Sequence, residues 1–165
     1  MPVTTDITAT YRGPGKVMRR LLSMGPREDR ALAFVMVACV IVFVSQMPRL
    51  ARIAHLTGQE LDMLLGGALF GWVFLAPLIL YLLAALSHLI ARILGGQGDW
   101  FGARLALFWA LLASSPLVLL HGLVAGMIGP GPGLQAVGLL WLAIFGWFWF
   151  ACLKQAERPP ERPNP

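Results

Sequence analysis

The three histidines carry the most versatile chemistry in this sequence, and two of them, His88 and His121, lie in long apolar stretches. Two histidines on neighbouring helices can ligate a haem iron. If the two stretches are helices that run in opposite directions across a membrane, they share the membrane edge marked by Arg92 and Arg104. His88 then lies about 6 Å from that edge. His121 lies about 25 Å from it, so one iron cannot bridge the two rings. We predict no cofactor and no metal, with His88 at the interface and His121 bonded to a neighbouring helix.

Residues for other kinds of catalysis are scarce. Cys39 and Cys152 both lie in apolar stretches and cannot form a disulfide framework. The apolar stretches contain no Asp, Glu, Lys or Arg, which counts against a pump or a proton-coupled carrier. None of them supplies a nucleophile, a base and an acid together. We predict that the protein is not an enzyme and has no catalytic residue.

Two prolines define the one candidate polar site. Pro77 and Pro116 lie about 22 and 18 Å from the shared edge, close to the middle of a bilayer. Each removes a helical hydrogen bond, and Ser114 and Ser115 could replace part of that loss. Interrupted helices at matching depth can mark a transporter site, to which His121 would add a polar group. The alternative is that both prolines are ordinary kinks that let helices pack.

The composition predicts the secondary-structure elements that hold these residues. Of 165 residues, 58% are hydrophobic and 13% are charged, and the 49 residues from Leu105 to Leu153 carry no charge. Soluble domains carry about 25% charged residues, so a water-soluble enzyme, a coiled coil and a disordered chain are excluded. The sequence predicts an all-α, polytopic transmembrane bundle of about four helices, near residues 31–47, 63–91, 105–128 and 134–153.

Helices are favoured over strands because no stretch alternates between polar and apolar residues, as the strands of a membrane barrel do. A helix also satisfies every backbone donor within its own segment. Residues 129–133, Gly-Pro-Gly-Pro-Gly, cannot continue a helix and predict a tight turn between the last two crossings.

The distribution of Lys and Arg predicts the orientation of the bundle. The N-terminal segment, the second loop and the tail hold 11 of the 13 basic residues, and the first and third loops hold Arg49 and Arg52. This asymmetry places both termini in the cytoplasm, in the inner membrane if the chain is bacterial. Because the charges lie in short segments and not on one face of a domain, we predict no binding of nucleic acid.

The two ends of the chain differ from the apolar region at 31–153. Residues 1–30 form a basic segment in which Val17, Met18, Leu21 and Leu22 fall on one side of a possible short helix. That helix could lie on an anionic leaflet, or the segment could be a solvated lead-in to the first crossing. Residues 154–165 are rich in Pro and predict an extended, mobile tail.

Two pairs of glycines have the spacing that allows helices to approach closely. The pairs are Gly67 with Gly71 and Gly122 with Gly126. Either pair could form a face for self-association or pack within one bundle.

The loop Gly95-Gly96-Gln97-Gly98 resembles a phosphate-binding loop only in its glycines. No strand precedes it and no Lys-Ser or Lys-Thr follows it. We expect the glycines to end the second helix and Asp99 to cap the third.

The string from Leu94 to Phe101, followed by Ser115-Pro116-Leu117, resembles the signature of bacterial members of the Yip (Ypt-interacting protein) family. On this resemblance, Gly95, Gly96, Gly98 and Pro116 are family-motif residues with a structural role. The family consists of small multi-helix membrane proteins, and the resemblance implies no enzyme.

Two departures limit what the resemblance implies. Family members usually have about five crossings, whereas four are predicted here, and the Asp-Leu-Tyr-Gly-Pro motif of eukaryotic members is absent. The binding of prenylated Rab-type GTPases by those members therefore does not carry over. The sequence favours a membrane-organising or scaffold protein that binds the lipid bilayer and other membrane proteins. The alternative is a small passive transporter or channel with its site near Pro77 and Pro116.

Overall fold

The computed structural model describes residues 3–158, in which every regular element is a helix. In chain order these are α1 (Val3–Thr10), α2 (Pro14–Ser23), α3 (Glu28–Thr57), α4 (Leu61–Leu69), a π-helical turn (Phe70–Leu75), α5 (Ala76–Ile93), α6 (Trp100–Ala113), α7 (Ser115–Met127) and α8 (Pro132–Ala156). By length and composition, three helices can cross a membrane, or four if α6 and α7 together make one span. The prediction of an all-α fold is confirmed for residues 3–158, which contain helices long and apolar enough to span a membrane.

Two ends of the bundle serve as landmarks. The loop end holds the connection between α5 and α6, residues 94–99, and the last turn of α8. The turn end holds the connections between α3 and α4, residues 58–60, and between α7 and α8, residues 128–131.

Helix α3 is longer than predicted. The sequence predicts an end at residue 47, before Pro48, but the helix continues through that proline to Thr57. Pro48 packs against Gly126 of α7. One turn further on, Arg52 Nη1 donates hydrogen bonds to the carbonyl oxygens of Gly126 at 3.2 Å and Met127 at 3.3 Å. These contacts hold the segment beyond the proline, where the ring removes one helical hydrogen bond.

The second crossing, predicted near 63–91, is one continuous rod over Leu61–Ile93. Its π-helical turn lies directly before Pro77, and the amide of Ala76 donates to the carbonyl oxygen of Gly71. A π-helical turn absorbs an irregularity without ending the helix. Only 11% of its most apolar 18-residue stretch is buried, so most of this crossing is exposed.

The third predicted helix, near 105–128, is not continuous. It is broken at Ser114, and α6 and α7 meet at an angle of 46°. Pro116 lies in the first turn of α7, where its missing amide removes no helical hydrogen bond. Helix α6 is enclosed by α1, α3, α5 and α8, and α7 packs mainly along α3 and α8.

The N-terminal segment folds back onto the bundle. Val17, Met18 and Leu21 of α2 are buried in the core, at 6%, 0% and 3% exposure. Their apolar face is therefore covered by protein, mostly by α8. Neither sequence interpretation, a helix lying on a leaflet or a solvated lead-in, describes this arrangement. Tyr11, between α1 and α2, packs edge-on against Phe148 with ring centroids 4.9 Å apart.

The last helix also exceeds its prediction of 134–153. Because α8 runs to Ala156 and Glu157 is held by side-chain contacts, the boundary predicted at residue 154 is wrong for this stretch. Residues 159–165 of the predicted mobile tail lie outside the described residues.

Candidate functional site

A lateral cleft with a volume of about 1050 Å³ separates the second crossing from the last two helices. The π-helical turn and α5 form one wall, α7 and α8 form the other, and α3 and α6 form the floor. The lining residues are Val42, Gln46, Gly71, Trp72, Leu75, Ala76, Ile79, Leu80, Leu83, Leu107, Leu111, Val118, His121, Gln135, Gly138, Leu139, Trp141, Leu142 and Phe145.

The cleft opens sideways and is mostly apolar. On its two walls, Ile79 is 52% exposed and Leu139 is 67% exposed. Its floor is closed, since Val42 and Leu111 are 5% and 7% exposed. In a bilayer, the opening would face lipid and not water, because the helices on both sides of it have the length and composition of membrane spans.

Three polar side chains gather towards the turn end of the cleft: Gln46, His121 and Gln135. His121 Nε2 lies next to Gly138, at 3.3 Å from the position that a Cβ atom would take there. Within residues 3–158, none of the three side chains has a hydrogen-bond partner. The predicted bond from His121 to a neighbouring helix is therefore absent from residues 3–158, although the ring approaches α8 at Gly138.

The structure brings only part of the predicted proline site to the cleft. Ser114 is buried, and its Oγ donates to the carbonyl oxygen of Leu111 at 2.9 Å and accepts from Trp141 Nε1 at 3.2 Å. Pro77 is buried beside the cleft-lining Ala76, whereas Pro116 is exposed.

Ser115 is buried and does not line the cleft. Sequence reasoning missed Gln46, Gln135 and the two cleft tryptophans, Trp72 and Trp141. Gln46 and Gln135 are the only glutamines inside the apolar stretches, so their position in the sequence could have identified them as candidate site residues.

A second constellation, which we call the clasp, lies at the loop end and consists of His88, residues 96–99 and Glu157. His88 Nδ1 and Glu157 Oε1 are 2.8 Å apart, and their side chains are 2% and 8% exposed. Glu157 Oε2 accepts a hydrogen bond from the amide of Gly98 at 3.1 Å. The amide of Gln97 donates to the carbonyl oxygen of Glu157 at 3.0 Å. The clasp thus ties the loop after α5 to the end of α8.

Each glycine of this loop is required for a different physical reason. Gly95 has a φ of +92°, a left-handed conformation that ends α5. A Cβ atom on Gly98 would overlap the carbonyl oxygen of Ala156, and one on Gly96 would press against Glu157 and Ala91. The predicted cap of α6 is confirmed, since Asp99 Oδ1 accepts from the amide of Gly102 at 2.8 Å.

Beside the clasp, the His88 ring packs at a tilt against Trp100, with ring centroids 4.5 Å apart. Sequence reasoning placed His88 at an interface but missed Glu157, because that residue begins the charged, Pro-rich segment that was assigned to the tail. In residues 3–158, no three His, Cys, Asp or Glu side chains come together in a cluster that could hold a metal ion.

The two glycine pairs differ in their surroundings. A Cβ atom on Gly122 would overlap the backbone of Ser45, and one on Gly126 would overlap Pro48, so this face is occupied by α3. Gly67 and Gly71 have open space within 4 Å. If the chain self-associates through a glycine face, the pair on the second crossing is therefore the accessible one.

Comparisons with protein-family models, with curated proteins and with solved structures return no match to this chain. The candidate function therefore rests on the geometry of the cleft and the clasp.

Proposed function

We propose that this chain is a non-enzymatic, membrane-organising integral membrane protein that holds a lipid in its lateral cleft. The observation that carries the proposal is the cleft itself, an apolar space of about 1050 Å³ with a closed floor and a sideways opening. Small-molecule sites usually measure about 300–1,000 Å³, so the space suits a long-chain amphiphile.

A lipid chain is the occupant that the surroundings favour. The walls present mainly leucine, isoleucine and aromatic side chains, which gain little from water but pack well against hydrocarbon. Because the wall residues are exposed and the cleft is open along them, an acyl chain from the bilayer can enter it directly. Such a lipid would touch floor residues that bulk lipid around the protein cannot reach.

The proposed topology is four crossings with both termini in the cytoplasm, so that the loop end faces the cytoplasm. Support for counting α6 and α7 as one broken span comes from their angle, because a bend of 46° lets the chain continue in the same general direction. The 11-to-2 division of Lys and Arg supports the orientation. If the chain is a bacterial Yip-like protein, the membrane is the inner membrane.

The experiment that tests the lipid-binding function compares two alanines of α5. Ala76 lines the cleft, whereas Ala85 is also half-buried but lies outside it. We expect Ala76→Phe, which fills the cleft, to lose a lipid that native mass spectrometry detects on the wild-type protein released from lipid discs. Ala85→Phe should retain it. Equal lipid retention by both variants would contradict the function.

A passive transporter is the second candidate, favoured by the broken helix at Ser114 and the π-helical turn before Pro77, both beside the cleft. Single cysteines at Ala76 and Ser115, in a chain without Cys39 and Cys152, would test it. A water-filled path would let membrane-impermeant thiol reagents label both positions. Complete protection of both would remove the transporter from consideration.

A further inference from the structure

The polar end of the cleft bears on the kind of lipid that the cleft accepts. Gln46, His121 and Gln135 offer amide and imidazole groups that hydrogen-bond to nothing else in residues 3–158. A polar group at membrane depth that lacks a partner is costly, so the half-buried Gln46 and His121 favour a ligand with hydrogen-bonding groups, and Gln135 is exposed beside them near the turn end.

The position of this polar end identifies the part of the ligand that binds there. Gln135 is three residues into α8, about 5 Å from the turn end. Gln46 is about 9 Å along α3 from Arg52, whose hydrogen bonds to Gly126 and Met127 place it beside the last residues of α7. The cleft continues from there past Ala76 to Leu83 and Leu107, nearer the loop end. An amphiphile would therefore place its polar group near the turn end and its chain along the apolar walls.

The charge of the lining selects among headgroups. Within the described residues, no Lys, Arg, Asp or Glu side chain lines the cleft. Arg49, the basic residue nearest Gln46 in sequence, is exposed and does not line the cleft, and Arg52 donates to the carbonyl oxygens of Gly126 and Met127. A phosphate brought about 5–9 Å below the edge would thus lose hydration without gaining a counter-charge.

Amides and imidazole match an uncharged headgroup better. Glutamine both donates and accepts hydrogen bonds, and so does a hydroxyl group. Ester carbonyls accept from the glutamine NH₂ groups, so an acylglycerol would supply the groups that these side chains lack. Buried hydroxyls and esters need no counter-charge, which suits the depth of Gln46.

We propose that the cleft selects an uncharged acylglycerol, with its hydroxyl and ester groups at Gln46, His121 and Gln135, over a phospholipid with the same chains. This inference rests on the proposed lipid-binding function. It adds the chemical class of the headgroup. It also adds the leaflet from which the lipid comes, which is the one opposite the cytoplasm, because the polar groups lie at the turn end.

Tryptophan fluorescence gives a direct test, because Trp72 and Trp141 line the cleft and the four other tryptophans do not. Diacylglycerol and phosphatidic acid with the same brominated acyl chains would be titrated into lipid discs that hold the protein. The part of the quenching that is lost in the double variant W72F/W141F measures lipid bound in the cleft. We expect half-maximal quenching at a concentration at least about tenfold lower for diacylglycerol, since it needs no counter-charge.

Removal of the polar groups should weaken the binding of diacylglycerol. Each neutral hydrogen bond is worth about a fivefold change in affinity, so the half-maximal concentration of diacylglycerol should rise at least about fivefold in the Gln46→Leu/Gln135→Leu variant. The matched control is Gln59→Leu, which changes an exposed glutamine outside the cleft in the same way. Its half-maximal concentration should equal that of the wild type.

The outcomes separate the inference from the function on which it rests. If both lipids quench equally, or if the Gln46→Leu/Gln135→Leu variant binds diacylglycerol as tightly as the wild type, the headgroup assignment is wrong although a lipid occupies the cleft. If Ala76→Phe and Ile79→Phe quench like the wild type, the cleft is not a lipid site and the proposed function fails. Ile79 is half-exposed, so its variant provides a second cleft-filling change that should fold.

Discussion

The two halves of this bundle are built in opposite ways. At the loop end, twelve of the fourteen residues of α6 are buried, whereas α7, which continues towards the turn end, buries only four of thirteen. The loop half is closed by polar contacts between distant segments, among them the clasp and the Arg104–Glu28 ion pair. The turn half leaves a cleft whose polar groups lack partners within residues 3–158. On the proposed function, the loop half maintains the fold and the turn half binds the lipid.

The largest expected effect comes from breaking the clasp. Glu157→Leu removes the carboxylate that pairs with His88 and accepts from the amide of Gly98. Loss of one partner of a buried pair costs about 3 kcal/mol or more, so we expect the midpoint of unfolding in detergent to fall strongly. Lys154→Gln, a change of charge at an exposed position on the same turn of α8, should change little. Equal stability of the two variants would show that the clasp does not close the loop half.

A smaller loss is expected from Gly98→Ala. The added methyl group would overlap the carbonyl oxygen of Ala156, which must move for the loop to keep its contacts. Overpacking of this kind costs about 1–3 kcal/mol. Gly67→Ala has open space around it and serves as the control. Thermal unfolding followed by size-exclusion fluorescence would measure both, and a loss from Gly67→Ala as large as that from Gly98→Ala would contradict the contrast.

The hydrogen bond between α1 and α6 should contribute less. Trp109 Nε1 donates to Thr10 Oγ1 at 3.1 Å, and both side chains are fully buried. Thr10→Val keeps the shape but removes this acceptor, together with the hydrogen bond that Thr10 Oγ1 donates to the carbonyl oxygen of Asp6, and costs about 1 kcal/mol. The exposed Thr4→Val is the matched control, and chemical unfolding would compare the two. If Thr10→Val is as stable as Thr4→Val, α1 does not secure the loop half.

The smallest effect on stability is expected in the turn half. Ile79→Phe changes a half-exposed residue on the wall of the cleft, so the free energy of unfolding should change by no more than about 0.5 kcal/mol. Lipid binding should nevertheless fall, because the larger ring narrows the cleft. A large loss of stability together with unchanged lipid binding would reverse the roles assigned to the two halves.

Much of the fold could be predicted from the sequence because hydrophobic length and helix-ending residues act locally. The helix end at Gly95 and the cap at Asp99 were predicted from the conformational preferences of those residues. Pro48 led to a wrong boundary, because a proline ends a helix only when nothing beyond it holds the chain. Here the contact with Gly126 and the hydrogen bonds of Arg52 hold the chain beyond Pro48.

The candidate sites were harder to predict because they depend on contacts between distant segments. The partner of His88 is Glu157, 69 residues away, in a segment whose composition indicates disorder. His121 and Ser114 were identified as polar residues in an apolar stretch, but the cleft that gives His121 a role is formed by five helices and the π-helical turn. No local pattern encodes such a space.

The most direct test of the account is a map of lipid contacts. A phospholipid and a diacylglycerol with a photoreactive group on the acyl chain would be cross-linked to the protein in lipid discs, and the adducts located by mass spectrometry. Leu111 lies on the floor of the cleft and is 7% exposed, whereas Leu78 and Phe150 are exposed outside the cleft at 68% and 70%. The account predicts adducts on Leu111 that disappear in Ala76→Phe. Adducts confined to Leu78, Phe150 and similar surface positions would contradict it.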